Sequence, residues 1–335
     1  MREVAERAGV SPTTVSFVLA GRDDMRISEE TRQRVLRAAR EMDYQPNLMA
    51  RSLRTNVTRT IALISDTIVT DQYAGGLIHG SLTTAVEHEH LLVVSETEGD
   101  LAVEARLIEH LLGRQVDGVI YATLSTQHVR VPRALTGHPV VLLNCVAPSR
   151  RLPAILPDEV DAGRAAAARL LRAGHRSGIY VVGDRPSEVF AARERLAGIE
   201  SEMEAAGARL QGCLDCAWWP EPAFDAVTGF LREGVHSTAL ICMNDRVAFG
   251  AYQALGAAGI AVPDEVSVIS FDDSVLASWL RPQLTSVALP YFEMGRRAVE
   301  TLLADRPQPG VQRVPMPLRE RASIAPPRSR RSTHG

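Results

Sequence analysis

The chain has 335 residues, 45% of them apolar and 23% charged, so it is long enough for two or three globular domains and is neither a small disulfide scaffold nor a disordered tail. It contains no run of about 18 apolar residues and no basic start followed by an apolar stretch, so neither a spanning helix nor an export signal is expected, and a cytoplasmic protein is. The net charge of −3 conceals an asymmetry: residues 1–59 hold 11 Arg against 8 acids, and the remainder holds 26 against 32.

A small basic head on a large acidic body fits a polyanion-binding module attached to something else. The spacing of apolar residues in the head predicts three short helices. In the first, Val4, Ala5 and Ala8 share a face before Gly9 stops the helix. Ser11 caps the second, with Pro12 at the first helical position, where its missing N–H costs nothing. Val15, Val18 and Leu19 fall at i, i+3 and i+4 and turn inward, leaving Thr13, Thr14, Ser16 and Phe17 on or beside the outward face. Ser28 caps the third, Glu29 and Glu30 occupy its first turn where the helix dipole favours acids, and Val35, Ala39 and Met42 are expected to be buried. Two short helices joined by a Gly-Val-Ser turn and followed by a packing helix form a helix-turn-helix, whose second helix enters the major groove of DNA. A three-helix cap without a nucleic-acid role is the alternative. Phe17 speaks against it, because a large apolar residue gains nothing on a solvated face, whereas thymine methyls offer it a partner.

After Tyr44-Gln45-Pro46, Asn47 can cap one more helix reaching Arg54, which is too short to be stable alone in water. Leu48, Met49 and Leu53 are candidates for a wedge between base steps in the minor groove, with a plain linker as the alternative. From Thr60 onward apolar strand-like runs alternate with amphipathic helices, at 60–66, 91–95, 116–122 and 139–144, and again at 177–184, 237–245 and 266–273. Continuous apolar strands separated by helices imply parallel sheets covered on both faces, and two series imply two similar α/β lobes. These strands end on Asp66, Asn144, Asp184, Asn244, Asp245, Asp272 and Asp273. Ligands of open parallel sheets bind beyond the carboxyl ends of the strands, so these groups are expected to converge on a cleft between the lobes.

No Gly-x-Gly-x-x-Gly follows any strand, no Walker sequence occurs, and no Ser, His and Asp set sits in a nucleophile context, so neither catalysis nor a cofactor is expected. Cys213 and Cys216 lack a second Cys or His pair at ligand spacing; with Cys145 and Cys242 they are expected as reduced thiols, and no metal site is expected.

The stretch E-V-A-E-R-A-G-V-S-P-T-T-V-S-F-V-L-A-G, then I-S-E-E-T-R-Q-R-V and Y-Q-P-N-L-M-A-R-S-L, resembles the DNA-binding head and hinge of the LacI/GalR family of bacterial repressors. The phrases M-N-D-R-V-A-F-G-A-Y-Q-A-L, G-I-A-V-P-D-E-V-S-V-I-S-F-D-D and R-P-Q-L-T-S-V resemble that family's effector core, which looks like a periplasmic sugar-binding protein. The resemblance implies a small all-α helix-turn-helix head (1–45), a hinge helix and linker (46–59), a two-lobed α/β effector domain with parallel sheets (60–323) and a flexible basic tail (324–335). One lobe would comprise about 60–160 and 291–318, the other about 161–290. It further implies base reading by Pro12, Thr13 and Phe17, phosphate contact by Ser11, Thr14, Ser16 and Thr31, a hinge helix starting at Asn47, and a minor-groove lever at Leu53. The family's ligand-facing positions fall on Asp71, Tyr73, Asp161, Arg195 in E-R-L-A-G, Trp218 or its neighbour Trp219, Asn244, Asp272 and Tyr291. An Arg, several carboxylate or amide acceptors and a stacking aromatic suit a vicinal diol, so a sugar or nucleoside is the expected effector.

The expected function is a repressor that binds a palindromic double-stranded DNA operator as a homodimer, without a membrane partner. Control by a protein partner instead of a small molecule is the alternative, and pairing of dimers into tetramers is left open. The sequence departs from the family pattern at Phe17, where many relatives have a guanine-reading Arg, and an apolar, thymine-tolerant readout is expected there. Ala20 replaces a common Asn, Ser270 a usual Gly, and Leu289 a frequent Gln. The chain starts where the family's first helix is already under way, without the Thr that caps it, which implies residues upstream of Met1.

Overall fold

The computed structural model describes residues 1–19, 27–44, 57–68, 75–149, 151–183 and 189–328, and the chain divides into two compact units, Met1–Thr58 and Arg59–Gly335. Ala20, Asn47, Leu48, Met49, Leu53, Asp71, Tyr73 and Asp184 lie outside the described residues. The first unit has helices α1 (Arg2–Ala8), α2 (Pro12–Leu19) and α3 (Glu29–Glu41). Gly9 closes α1 at φ 63°, a left-handed conformation that glycine adopts without steric cost. The apolar stripes meet in one small core of Val4, Ala5, Ala8, Val15, Val18, Val35, Ala38 and Ala39. Met42, expected in that core, is 39% exposed. It is the C-cap of α3, so the 3.6-residue stripe has already ended at Ala39.

The second unit contains two lobes. The first is built on β1 (Thr60–Ser65), β2 (Leu91–Glu96), β3 (Gly118–His128), β4 (Val140–Val146) and β5 (Pro153–Pro157), joined late in the chain by β11 (Gly310–Val314). These strands are all parallel, in the order β11-β5-β4-β3-β1-β2. Helices α4 (Gly75–Glu87) and α11 (Tyr291–Leu303) cover one face through Leu77, Met294 and Ala298, and α5 (Leu101–Gly113) covers the other through Ile108 and Leu111.

The second lobe is built on β6 (Ile179–Val182), β7 (Leu210–Leu214), β8 (Ala239–Cys242), β9 (Ser267–Asp272), β10 (Thr285–Ala288) and β12 (Leu318–Arg319), ordered β12-β10-β9-β8-β6-β7. Helices α6 (Glu159–Arg172) and α7 (Phe190–Ala205) bury Ala166, Leu170, Ile199 and Met203 on one face. On the other, α8 (Pro220–Arg232) and α9 (Asp245–Ala257) bury Val227, Ala251 and Leu255, and the short α10 (Val275–Trp279) follows β9. A Cβ on Gly163 would stand 2.1 Å from the Arg195 carbonyl oxygen, and one on Gly198 2.0 Å from that of Val160. Only glycine at both positions lets α6 and α7 pack this closely, with Glu159 and Arg195 on facing helices.

The chain crosses between lobes after β5, after β10 and after β11. The last crossing, over Pro315–Pro317, precedes the expected boundary at 318, and Leu318 already pairs with β10. That β12–β10 pairing is antiparallel, an exception to the expected all-parallel sheets. Residues 324–328 were expected to begin a free tail, but Ala325 instead donates its N–H to Ser267 Oγ (3.1 Å), and its carbonyl meets His175 Nε2 at 2.9 Å. With Ala325 anchored in this way, and Ser323 donating its hydroxyl to the Val268 carbonyl at 2.6 Å, the segment is part of the second lobe. Among the described residues no helix is long and apolar enough to cross a membrane.

Candidate functional site

In the head, the Ser11 hydroxyl accepts the Thr14 N–H at 3.1 Å and caps α2, and Ser28 accepts the Thr31 N–H at 3.3 Å and caps α3. The hydroxyls within each pair lie 2.9 Å apart. Thus three of the four expected phosphate-contacting residues, Ser11, Thr14 and Thr31, sit at helix N-termini, where exposed N–H groups and the dipole favour an anion. Pro12 and Thr13 are exposed, while Thr14, Ser16, Phe17 and Thr31 are half-buried. Phe17 is therefore less solvated than its position on the outward face predicts.

The second site is a cavity of about 350 Å³ between the lobes. Arg195, Trp218, Asn244, Asp272 and Tyr291, five of the expected ligand residues, all line it. Arg195 is fully buried and held from three sides. Its Nε and Nη2 donate to Glu159 at 2.6 and 2.9 Å, Nη1 donates to the Met243 carbonyl, and Nη2 lies 3.5 Å from Asp272. Its guanidinium also lies 4.5 Å from the Phe271 ring centroid and 5.4 Å from that of Trp218. Burial opposes the charge, but pairing with Glu159 and Asp272 outweighs it and holds the pKa above the ordinary arginine value.

Asp272 ends β9 at φ 101°, and Asn144 stands within β4, two residues before its end, at φ 59°. Both are non-glycine residues in the left-handed region, a strain that tends to collect at binding sites. Burial, reinforced by Asp245 and Glu159 and opposed by Arg195, pushes the Asp272 carboxyl up to about 7. Asn244 caps α9, its Oδ1 accepting the Val247 N–H at 2.8 Å. Among the described residues its buried Nδ2 has no hydrogen-bond partner, and neither has the indole Nε1 of Trp218. Two orphaned donors in and beside a polar cleft carry a desolvation cost that an acceptor on a ligand would relieve.

The other strand-end groups divide by role. Asn144 lines the cavity, but its amide is fully engaged with Thr123, Leu124 and Thr126. Asp66 accepts the N–H groups of Thr67 and Leu124, and so shapes the loop within β3 without reaching the cleft. Asp245 is buried beneath the site, accepting from the Ser270 hydroxyl, from Ser286 at 2.8 Å and from the Ser274 N–H at 2.6 Å. Ser270, in place of the family's usual Gly, is thus a donor to a buried carboxylate. Asp273 turns away to Arg321 at 2.7 Å.

Asp161 does not line the cavity. It is exposed in the first turn of α6, and the buried carboxylate is Glu159, two residues earlier. The helix begins at 159, so a shift of two positions rotates a side chain about 200° around its axis. Sequence reading also missed Leu124, Ser125 and Thr126, which line the cavity because the β3–β4 register breaks between Ala122 and Gln127 and expels the intervening residues toward the cleft. Arg246, stacked 4.6 Å over the exposed Trp219 ring, lines it too. Its place directly after Asn244-Asp245 could have flagged it.

The family model described as "Bacterial regulatory proteins, lacI family" matches residues 1–47, and the one described as "Periplasmic binding protein-like domain" matches residues 167–324. The sucrose operon repressor of Escherichia coli is 33% identical over 334 residues, spanning 96% of this chain and 99% of the relative. The ribose operon repressor of Escherichia coli strain K12 is 31% identical over 316 residues, 93% of this chain and 94% of the relative. Among solved structures, the Lac repressor dimer bound to operator and the anti-inducer ONPF is similar at a TM-score of 0.77 and 25% identity, covering 96% of this chain and 98% of that one. The complex of the transcriptional regulator CelR with cellobiose is similar at 0.66 and 27%, with the same coverage.

Proposed function

The chain belongs to the LacI family of bacterial regulatory proteins, and from that premise we propose that it is a sequence-specific repressor whose grip on DNA is set by a sugar bound between its lobes. It binds a palindromic operator as a dimer, because two-fold protein symmetry demands two-fold DNA symmetry. It acts in the cytoplasm as a regulator and not as a catalyst. Pro12, Thr13 and Phe17 face the bases, Ser11, Thr14, Ser16 and Thr31 the phosphates, and the segment from Asn47 with Leu53 acts in the minor groove.

The observation that carries the effector reading is the buried Asn244 Nδ2, without a hydrogen-bond partner among the described residues, beside Arg195 and Asp272 in a cleft that also presents Trp218 and Tyr291. A sugar's hydroxyls can accept from the amide and donate to the carboxylate while the C–H face of its ring stacks on the indole. Relatives and structural neighbours named for sucrose, ribose and cellobiose favour the same class. A sugar that stabilises one lobe arrangement over another shifts the population of the DNA-binding state, and a difference of about 3 kcal/mol alters operator occupancy on the order of 100-fold.

Thermal-shift screening of the full chain against a panel of sugars and nucleosides tests this. A ligand at 100 times its dissociation constant adds about 2.7 kcal/mol of stability. A hit that Arg195→Ala abolishes while operator binding survives supports the reading. A panel with no hit, or a hit untouched by that substitution, contradicts it.

A further inference from the structure

Helix α7 is a wall between two cavities. Ala191 and Arg195 line the effector cleft, whereas Phe190 and Glu194, one position earlier in each turn, line a second cavity of about 410 Å³ formed against β4, β5 and β11. Beside this second cavity the lobes are tied together. Arg313 of β11 makes a bidentate contact with Glu194, its Nη2 donating at 2.6 Å, and Nη1 also donates at 3.2 Å to the carbonyl of Pro157, which ends β5 at the first crossover. Next to it the His128 ring, at the end of β3, meets Phe190 edge-on with centroids 5.8 Å apart.

The adjacent residues Glu194 and Arg195 therefore carry ion pairs with opposite destinations. Arg195 reaches Glu159 and Asp272 on the cleft side, and Glu194 reaches the first lobe. Any change in lobe separation must move α7 with the first lobe or break the Glu194–Arg313 contact, and either outcome is felt at Arg195 one residue away. The pair has the fork geometry that fixes orientation as well as distance, and its side chains are only 19% and 34% exposed, so solvent screens it weakly.

We propose that Glu194 and Arg313 are positioning residues for the effector response: their pairing pins the N-terminal end of α7 to the first lobe, setting both the lobe arrangement and the place of Arg195 in the cleft. The consequence for signalling rests on the effector reading above; the pinning itself does not, and it can be measured without any sugar.

The test is hydrogen–deuterium exchange on the full, effector-free chain, comparing wild type with Glu194→Arg, Arg313→Glu and the double exchange of charges. Each single reversal sets like charges against each other and is expected to raise amide exchange over 124–128 and 189–195 by about 5-fold or more, while the buried helix α9 keeps its wild-type protection. The double exchange is expected to return both segments to within about 2-fold of wild type. Should a reversal prevent folding, Glu194→Gln and Arg313→Gln remove the attraction without repulsion and are expected to raise exchange in the same two segments. Unchanged exchange in the single variants overturns the proposal, as does a rise that spreads to α9 or that the double exchange fails to reverse. Rescue by the double exchange in a protein that binds no sugar would overturn the effector reading alone.

Discussion

At the residue scale the cleft turns on two charges with opposite needs. Arg195 is fully buried against an equally buried Glu159. Removing one partner of such a pair costs more than the pair is worth, because the other is left uncompensated in a medium that solvates charge poorly. Arg195→Ala is expected to lower unfolding free energy by about 3–5 kcal/mol, measured by denaturant titration; a loss below about 1 kcal/mol would show that Glu159 finds other compensation. Asp272 is the reverse case, a carboxyl whose proton the folded protein keeps to about pH 7. The unfolded chain loses that proton near pH 4, so the contribution of this group to stability falls as pH rises from about 4 to 7, and Asp272→Asn removes that slope. Since an ionised carboxylate is the better hydroxyl acceptor, affinity for a sugar identified in the thermal screen should rise about 10-fold between pH 6 and 8 in the wild type and stay flat in Asp272→Asn. Calorimetric titration across that range checks it, and parallel pH profiles would remove Asp272 from the contact.

At the scale of elements, the close approach of α6 and α7 brings Glu159 to Arg195. Gly198→Ala places a methyl 2.0 Å from the Val160 carbonyl oxygen, so the helices must separate. The expected result is about 1–3 kcal/mol of lost stability together with weakened sugar binding, and a fully stable variant would show that the pair tolerates the shift. In the head, Ser28→Ala deletes the cap of α3 and is expected to cost about 1 kcal/mol in the head's own melting transition. Phe17→Arg should change the preferred base in selection from randomised DNA, beyond merely weakening all sequences alike. The elements most legible in the sequence are those with a single local cause. Ser11 and Ser28 declare caps, Gly9 a stop, and runs such as 60–66 and 266–273 central strands buried on both faces. Arg195, Asn244 and Asp272, which line the cavity, were legible because they sit inside motif phrases. Edge strands such as β7 and β12 were missed because half-solvated or two-residue strands leave little apolar pattern. Leu124–Thr126 were missed because a register break without a local signature turns them to the cleft, whereas Glu159 could have been found, since Asp158 caps α6 by accepting the Asp161 N–H at 3.2 Å and so marks the helix start.

For the molecule as a whole, the division of charge seen in composition becomes a division of labour. The basic first unit carries the recognition helix, and the second carries a cleft whose walls come from both lobes and whose floor includes Glu159, Leu289 and Tyr291 at or beside the crossovers. A ligand touching all of these senses the relation between lobes, which is what an allosteric control needs. Leu53→Ala should weaken operator binding yet leave sugar affinity unchanged, as fluorescence anisotropy and calorimetry on the full chain would show, because the wedge we propose at Leu53 would act on DNA alone. The central claim is that filling the cleft changes the hold on DNA. Its most direct measurement is operator affinity of the full chain, on a duplex selected from randomised DNA, with and without the sugar found in the thermal screen. The account predicts a change of about 10-fold or more in the wild type that disappears in Arg195→Ala; a sugar that binds the cleft and leaves operator affinity unaltered would contradict it.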